Sequence, residues 1–299
     1  MTVTSDAMFG GDRGFALLIV AIALAALSLI FAAAISTTHQ HLVATTAHLA
    51  RVRLAAAVEG AVTTAAYDLS TAREVEPAIL NAPQELNIGG IAVTARARPE
   101  AAKLDLNAVS PELLYRYFLV SGLDKELAQQ LIEAIRARRK DADPAYAKAH
   151  DKERAPPFEA VSELFALKGV TDDVTQCVEP DLTVFTGLVS VDTDDASDRV
   201  REAAGLEAKS PTAPRAASAA TAGRAVAAGE IFEVTARAHD DETGQTQSRQ
   251  VVLRVTGNSR SPIWTLAVHS PAPDAEKAQA ACDRLKPPQR TADARDARQ

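Results

Sequence analysis

Residues 15–35 read FALLIVAIALAALSLIFAAAI, and this stretch decides how the rest of the chain is interpreted. It holds twenty-one residues without a charge, a glycine or a proline. As a helix that rises about 1.5 Å per residue, it is long enough to cross a hydrocarbon core of about 30 Å. Such a helix also satisfies its own backbone hydrogen bonds in lipid. We therefore predict a single membrane-spanning helix over residues 15–35.

The residues on either side of this helix do not read as a removed signal peptide. The preceding segment, MTVTSDAMFGGDRG, carries Asp6, Asp12 and Arg13, whereas a secretory signal begins with positive charge and has an apolar run of about 7–15 residues. Beyond the apolar run, the helical pattern continues without a cleavage-like break. Its apolar residues recur mostly at three-, four- or seven-residue spacing, and they are Leu42, Leu49, Val52, Leu54, Val58, Val62 and Leu69. We predict an amphipathic extension of the helix over residues 36–72.

The composition of the chain excludes several classes of function. Its formal net charge is −7 and its isoelectric point is near 5.5, so its average field repels nucleic acid and anionic lipid. Cys177 and Cys282 are too few for a disulfide-dense scaffold or a four-cysteine zinc site, and the sequence leaves open whether they pair. None of the common hydrolase, metalloprotease, phosphate-loop or dinucleotide motifs occurs. We predict that the protein is not an enzyme and needs no cofactor.

A helical unit is predicted in the middle of the chain, over residues 103–206. Ser110 and Pro111 form a helix start, and Gly122 and Gly169 end helices in two similar segments, LVSGLDKELA and ALKGVTDDVT. The apolar residues predicted to be buried are Leu113, Leu114, Tyr117, Phe118, Leu127, Leu131, Ile132, Ile135, Val161, Leu164, Phe165 and Leu167.

Strand patterns lie on both sides of this helical unit. Alternating apolar residues around Gly89 and Gly90 predict a β-hairpin before it. Three more strands are predicted after it, with their apolar residues at Ile231, Phe232, Val234, Val251, Leu253, Val255, Trp264, Leu266 and Val268. Neither group has enough apolar surface for a stable sheet alone, so we predict one sheet with a helical insert, in which Trp264 is a core ring.

The residues DRG-FALLIV resemble the start of type IV pilin precursors. The leader peptidase of that family cuts after a glycine, which implies cleavage between Gly14 and Phe15. Most members place a glutamate at the fifth mature position, whereas this chain has Ile19. In having an apolar residue at this position and a large helical domain, the chain resembles the minor pseudopilin K family of the type II secretion system. The stretches LDLN, PFEAVSEL and LTVF resemble the same parts of that family.

This resemblance implies an α+β fold in which a pilin-like antiparallel sheet is interrupted by an all-α domain of the SAM-like or helix-hairpin-helix type. It implies a subunit that caps the tip of a periplasmic pseudopilus and supports its assembly for protein export. The implied partners are the minor pseudopilins of the I and J types, the major pseudopilin and the prepilin peptidase. The implied location is the inner membrane, with a single span and the C-terminal domain in the periplasm.

These inferences divide the chain into eight parts. They are a leader (1–14), a transmembrane helix (15–35), its amphipathic extension (36–72), the first part of the pilin-like domain (73–102), the helical insert (103–206), a disordered linker (207–228), the remaining strands (229–270) and a flexible tail (271–299).

A membrane-anchored helix-hairpin-helix protein that binds DNA in a competence or DNA-uptake system is the alternative interpretation. In DNA-binding versions of this module a second glycine lets the backbone approach a phosphate, but Asp124 and Asp172 stand at those positions. A basic run does occur at Arg136, Arg138, Arg139 and Lys140, where cations favour the end of a helix. We expect no nucleic-acid partner.

Two groups of residues raise the question of a metal. Asp192, Asp194 and Asp195 have an alternating spacing that offers oxygen ligands to Ca²⁺, but the glycine and the distant glutamate of an EF-hand loop are missing. A solvated acidic loop is the preferred interpretation, with Ca²⁺ left open. The residues His39, His41 and His48 are not spaced by four, so we interpret them as interfacial polar residues.

Overall fold

The computed structural model describes residues 12–72, 77–143, 145, 148, 157–167, 169–207, 226–241, 243–269 and 275–286. Within the first range, the side chains of residues 12–16 and 33–43 are not described. Most of the predicted leader and of the predicted linker, at residues 1–11 and 208–225, therefore lies outside the described residues.

The N-terminal part is one long helix, α1, which runs over Asp12–Thr71. The predicted apolar and amphipathic segments are thus continuous, as expected from the absence of proline between them. The residues of α1 that are buried are Leu54, Ala57, Val58, Ala61, Val62, Ala65 and Leu69, which share one face. Leu49 and Val52, which belong to the predicted amphipathic pattern, are about half exposed.

The sheet has five antiparallel strands in the order β1-β2-β5-β6-β7. Its strands are β1 (Gln84–Ile88), β2 (Ile91–Pro99), β5 (Ile231–Asp240), β6 (Gln245–Val255) and β7 (Ile263–His269). Gly89 and Gly90 form the predicted β1–β2 turn, both with positive φ. Because β2 pairs with β5 over seven residue pairs, from Val93↔Ala238 to Pro99↔Phe232, the prediction of a sheet split by an insert is confirmed.

The first core of the molecule lies between α1 and one face of this sheet. On β2 and β5 the inward residues include four alanines, Ala95, Ala97, Ala236 and Ala238, and α1 contributes Ala61 to the same core. Small side chains let a helix approach the sheet closely. Val226, which was predicted to lie in the disordered linker, packs against this core, and its amide donates to the carbonyl of Ala72 at 2.9 Å.

The prediction that Trp264 is a core ring was wrong. Its side chain is 55% exposed and Val268 is 52% exposed. Both lie on β7, an edge strand of the described sheet, of which Ile263 packs against the core formed with α1. Apolar strand residues therefore predicted the strand correctly but not which of its faces is covered.

The helical insert follows β2 and returns to β5. Its elements are β3 (Leu104–Asp105), α3 (Pro111–Val120), α4 (Lys125–Ala142), α5 (Ser162–Phe165), α6 (Asp172–Val178), β4 (Leu182–Thr183) and α7 (Asp198–Ala203). The parallel pairing of β3 with β4 closes the insert. Ser110, Asp124, Thr171 and Ser197 each cap the helix that follows them, since their side chains accept from a backbone amide three residues later.

The predicted flexible tail contains a helix, α8 (Ala275–Leu285), so that prediction was wrong for these residues. Ala278, Ala281 and Cys282 lie on one face of α8 and are buried against the insert. A disulfide joins Cys282 to Cys177 on α6, with the two Cα atoms 4.9 Å apart. The apolar face of α8 was hard to recognise because it consists mainly of alanines in a polar, charged segment. The disulfide, which the composition did not predict, restrains α8 against the insert.

Candidate assembly surface

The N-terminal half of α1 carries a large apolar surface that no other described element covers. Its large apolar side chains are half or more exposed: Leu17, Leu18, Ile19, Val20, Ile22, Leu24, Leu27, Leu29, Ile30 and Phe31. These residues point in all directions around the helix. A helix that is apolar all round is stable only when lipid or other protein surrounds it, because monomeric soluble proteins rarely expose such patches.

The residues predicted at the processing site lie at the start of this surface. Gly14 and Phe15 fall within the first residues of α1, although their side chains are not described. Ile19, at the position where pilins place a glutamate, is 52% exposed. The structure thus brings Ile19 into the apolar surface, but it shows nothing about cleavage.

Taken over the described side chains, which leave out residues 33–43, no helix is long and apolar enough to cross a membrane.

A buried ionic cluster, which we call the Asp181 cluster, fixes the insert to the sheet. The Asp181 carboxylate is buried; it accepts from Arg98 Nη2 of β2 at 3.2 Å and from Arg199 Nη2 of α7 at 3.1 Å. Ser197 Oγ donates to it at 2.8 Å and the Tyr117 hydroxyl at 3.2 Å. Burial alone would raise the pKa of Asp181, but the two arginines and the serine hydrogen bond outweigh it and hold that pKa below its usual value.

A second cluster, centred on Lys103, lies where the chain leaves the sheet for the insert. The Lys103 ammonium donates to Glu100 Oε1 at 2.6 Å and to Glu233 Oε2 of β5 at 2.5 Å. Gln250 of β6 also donates to Glu233. Burial acts to lower the pKa of Lys103, yet the two carboxylates together raise it above its usual value. The strands on both sides of the insertion are therefore held to the insert by charge.

Neither ionic cluster was predicted from the sequence. Arg98, Asp181, Arg199 and Glu233 are separated by up to 135 residues in the chain, and single charged residues in strand patterns carry no spacing signal. One clue was present: Glu233 and Gln250 interrupt otherwise apolar strand segments on the face that a half-buried sheet would expose.

The basic run at the end of α4 is engaged within the insert. Arg138 Nη2 donates to Glu163 Oε2 at 2.9 Å, and Arg139 Nε donates to the carbonyl of Leu106 at 2.8 Å. Arg136 pairs with Glu112 at 3.1 Å. These three side chains therefore form contacts within the insert.

The first helix–glycine turn is covered by the end of α8. Gly122 has a φ of +93°, and a Cβ built there would lie 3.2 Å from Lys286 Cγ and 3.3 Å from Lys286 N. Asp124, two residues later, caps α4 by accepting from Leu127 N at 2.7 Å. The amides of Gly122 and Leu123 donate to the carbonyls of Leu119 and Phe118, so these two amides do not point to a phosphate as in a DNA-binding module.

The residues considered as metal ligands do not come together. No group of three or more histidine, cysteine, aspartate or glutamate side chains within the described ranges is arranged to hold an ion. Asp192 instead accepts from the amide of Asp194 at 3.0 Å. His48 is exposed, whereas the side chains of His39 and His41 lie outside the described residues.

Comparison with known proteins finds a likeness among solved structures. No family model and no curated protein matches the chain. A chain in the crystal structure of the GspK–GspI–GspJ complex from the type 2 secretion system of enterotoxigenic Escherichia coli matches with a TM-score of 0.47 and 12% sequence identity. The match covers 75% of this chain and 96% of that one. At this level the likeness does not establish a shared function.

Proposed function

We propose that the protein is a minor pseudopilin of a type II secretion system, which caps the pseudopilus tip and supports its assembly for protein export. Under this proposal its work is to join other subunits, with no chemical reaction of its own. The observation that carries the proposal is α1: its second half packs under an antiparallel sheet, while its first half presents an apolar surface with no cover in the described chain.

The apolar half of α1 supports assembly by helix-to-helix packing with other pseudopilins, those of the I and J types and the major one. Side chains that are half or more exposed on every side of the helix, such as Leu17, Leu24 and Leu29, need a surrounding of lipid or neighbouring helices. We propose that the helix is first held in the inner membrane over residues 15–35 and then enters the pseudopilus. The folded C-terminal part would then stand in the periplasm, where a disulfide is compatible with the redox environment.

The position of Ile19 supports a place at the tip. A glutamate in the apolar half of such a helix would require a cationic partner, because an unpaired carboxylate in lipid is costly. Ile19 removes that requirement, so the subunit does not need an amine contact from a neighbour at this position. The helical insert adds bulk on the other face of the sheet, which would hinder the addition of a further subunit.

The DNA-uptake alternative has no specific support in the structure. Arg138 and Arg139 are tied to Glu163 and Leu106, and α8 covers the turn at Gly122. Duplex DNA should therefore not be retained by the full chain in a gel-shift assay at moderate salt.

The proposal is tested by export in cells that lack this gene product, complemented with the full chain or its variants. Leu24→Asp places a charge in the apolar half of α1 and should abolish export. Leu49→Asp is the matched control, because Leu49 is a half-exposed leucine of the same helix beyond that half, and it should support export. Equal export by both variants, at equal protein levels, would contradict the proposal.

A further inference from the structure

A cleft of about 200 Å³ lies between the insert and the outer face of the sheet. Four apolar residues line it: Leu182 and Val252 are buried, whereas Val161 and Phe185 are partly exposed. The Lys103 cluster, Glu179 and His269 also belong to its lining. The cleft thus combines apolar side chains with charged ones.

Glu179 is the group in this cleft whose charge is not balanced locally. Lys103 is shared between Glu100 and Glu233, so the cleft is lined by three carboxylates and one ammonium. Among the described residues, no hydrogen-bond donor or ion-pair partner reaches the Glu179 carboxylate. Burial raises the pKa of Glu179 above its usual value, and the charges of His269 and Lys103 offset this only in part.

We propose that this cleft binds the side chain of a lysine from a partner protein, with the alkyl chain between Val161, Leu182, Phe185 and Val252 and the ammonium at Glu179. The inference does not rest on the assembly function, since it concerns the opposite face of the sheet from α1. Partly buried carboxylates without a counter-ion in a cleft are a recurrent feature of binding sites.

The shape of the cleft favours a long cationic side chain over a metal ion or a neutral ligand. Lysine buries its methylene groups along apolar surface and keeps its charged end at a polar group, which is the pattern of apolar sides and a carboxylate seen here. A lysine ammonium supplies the charge that the half-buried Glu179 lacks, and a charge-assisted hydrogen bond is about twice as strong as a neutral one.

Binding of this kind should depend on pH in a defined direction. Glu179 is faced by His269 of β7, by Lys103 and by Glu233 of β5. When the pH falls, protonation of Glu179, whose pKa is raised by burial, removes its attraction for a cation. The affinity for a cation should therefore rise as the pH increases from acid to neutral.

The test uses the full chain in detergent micelles with isotope-labelled valine and leucine methyl groups. The probe is lysine with a blocked amino and carboxyl terminus, and the neutral control is norleucine blocked in the same way. The lysine probe, at concentrations up to about 50 mM, should shift the methyl signals of Val161, Leu182 and Val252 in a saturable manner. Blocked norleucine should not shift these methyl signals.

Two variants distinguish binding at Glu179 from a general effect of removing one negative charge. Glu179→Gln should weaken binding of the probe about tenfold, whereas Glu85→Gln, the same change at an exposed position of β1, should leave it unchanged. Equal shifts with norleucine, equal affinity in Glu179→Gln, or no saturable shift would overturn the proposal. Tighter binding of free spermidine than of blocked lysine would overturn the assignment to a protein side chain.

Discussion

At the scale of single residues, the chain is held together at its insertion points by charged groups that are far apart in sequence. Asp181 is the clearest case, because two arginines, a serine and a tyrosine from three different segments converge on its carboxylate. Asp181→Asn leaves Arg98 and Arg199 without a counter-charge, and should lower the free energy of unfolding by about 3 kcal/mol. Urea denaturation measures this, and Glu112→Gln, which breaks an exposed pair, should cost under about 1 kcal/mol. A loss at Asp181 no larger than at Glu112 would show that the cluster contributes little.

Substitution of Glu179, unlike that of Asp181, should stabilise the folded protein. Its pKa in the folded protein is raised by burial, so the unfolded chain loses this proton first and the folded protein loses stability as the pH rises through that window. Glu179→Gln removes this loss of stability, because a glutamine side chain does not titrate. The variant should melt at a higher temperature than the wild-type protein near pH 7 and at the same temperature at a pH below the ordinary carboxyl pKa of about 4. A higher melting temperature at both pH values would assign the effect to packing.

At the scale of elements, the pattern of residues predicted most helices and strands. It did not predict which face of each element is buried, because burial depends on tertiary contacts. The split sheet, its glycine turn and the first insert helices follow from alternation, caps and glycine stops that are local in sequence. Trp264 was placed wrongly because the same apolar spacing occurs whether or not another element covers that face. Helix α8 was missed because its apolar face consists of alanines and a cysteine.

The contact of α8 with the first insert turn gives an element-scale prediction. Gly122→Ala forces a side chain into positive φ and against Lys286, whereas Gly187→Ala meets only the backbone penalty, since nothing lies within 4 Å of a Cβ there. The Gly187 variant should lose about 1 kcal/mol of stability, and the Gly122 variant should lose more. Removing residues 275–299 should reduce this difference. Equal losses in the full chain would mean that α8 does not press on the turn.

At the scale of the whole molecule, the Cys177–Cys282 disulfide joins segments 105 residues apart and ties the C-terminal helix to the insert. Replacing both cysteines with alanine should lower the free energy of unfolding by about 3 kcal/mol, because the unfolded chain regains the freedom that the cross-link removes. Chemical denaturation under oxidising conditions measures the effect. Reducing agent should then destabilise the wild-type protein but leave the double variant unchanged, and equal sensitivity of the two would contradict the prediction.

The central claim is that α1 is the joining element of a processed pseudopilin, and the mass of the mature chain tests it most directly. The full chain should be extracted from membranes of cells with an active prepilin peptidase and analysed by intact-mass and N-terminal mass spectrometry. We predict a mature chain that begins at Phe15, and an unprocessed chain in cells without the peptidase. A mature chain that begins elsewhere, or one that retains residues 1–14 in the presence of the active peptidase, would contradict the claim.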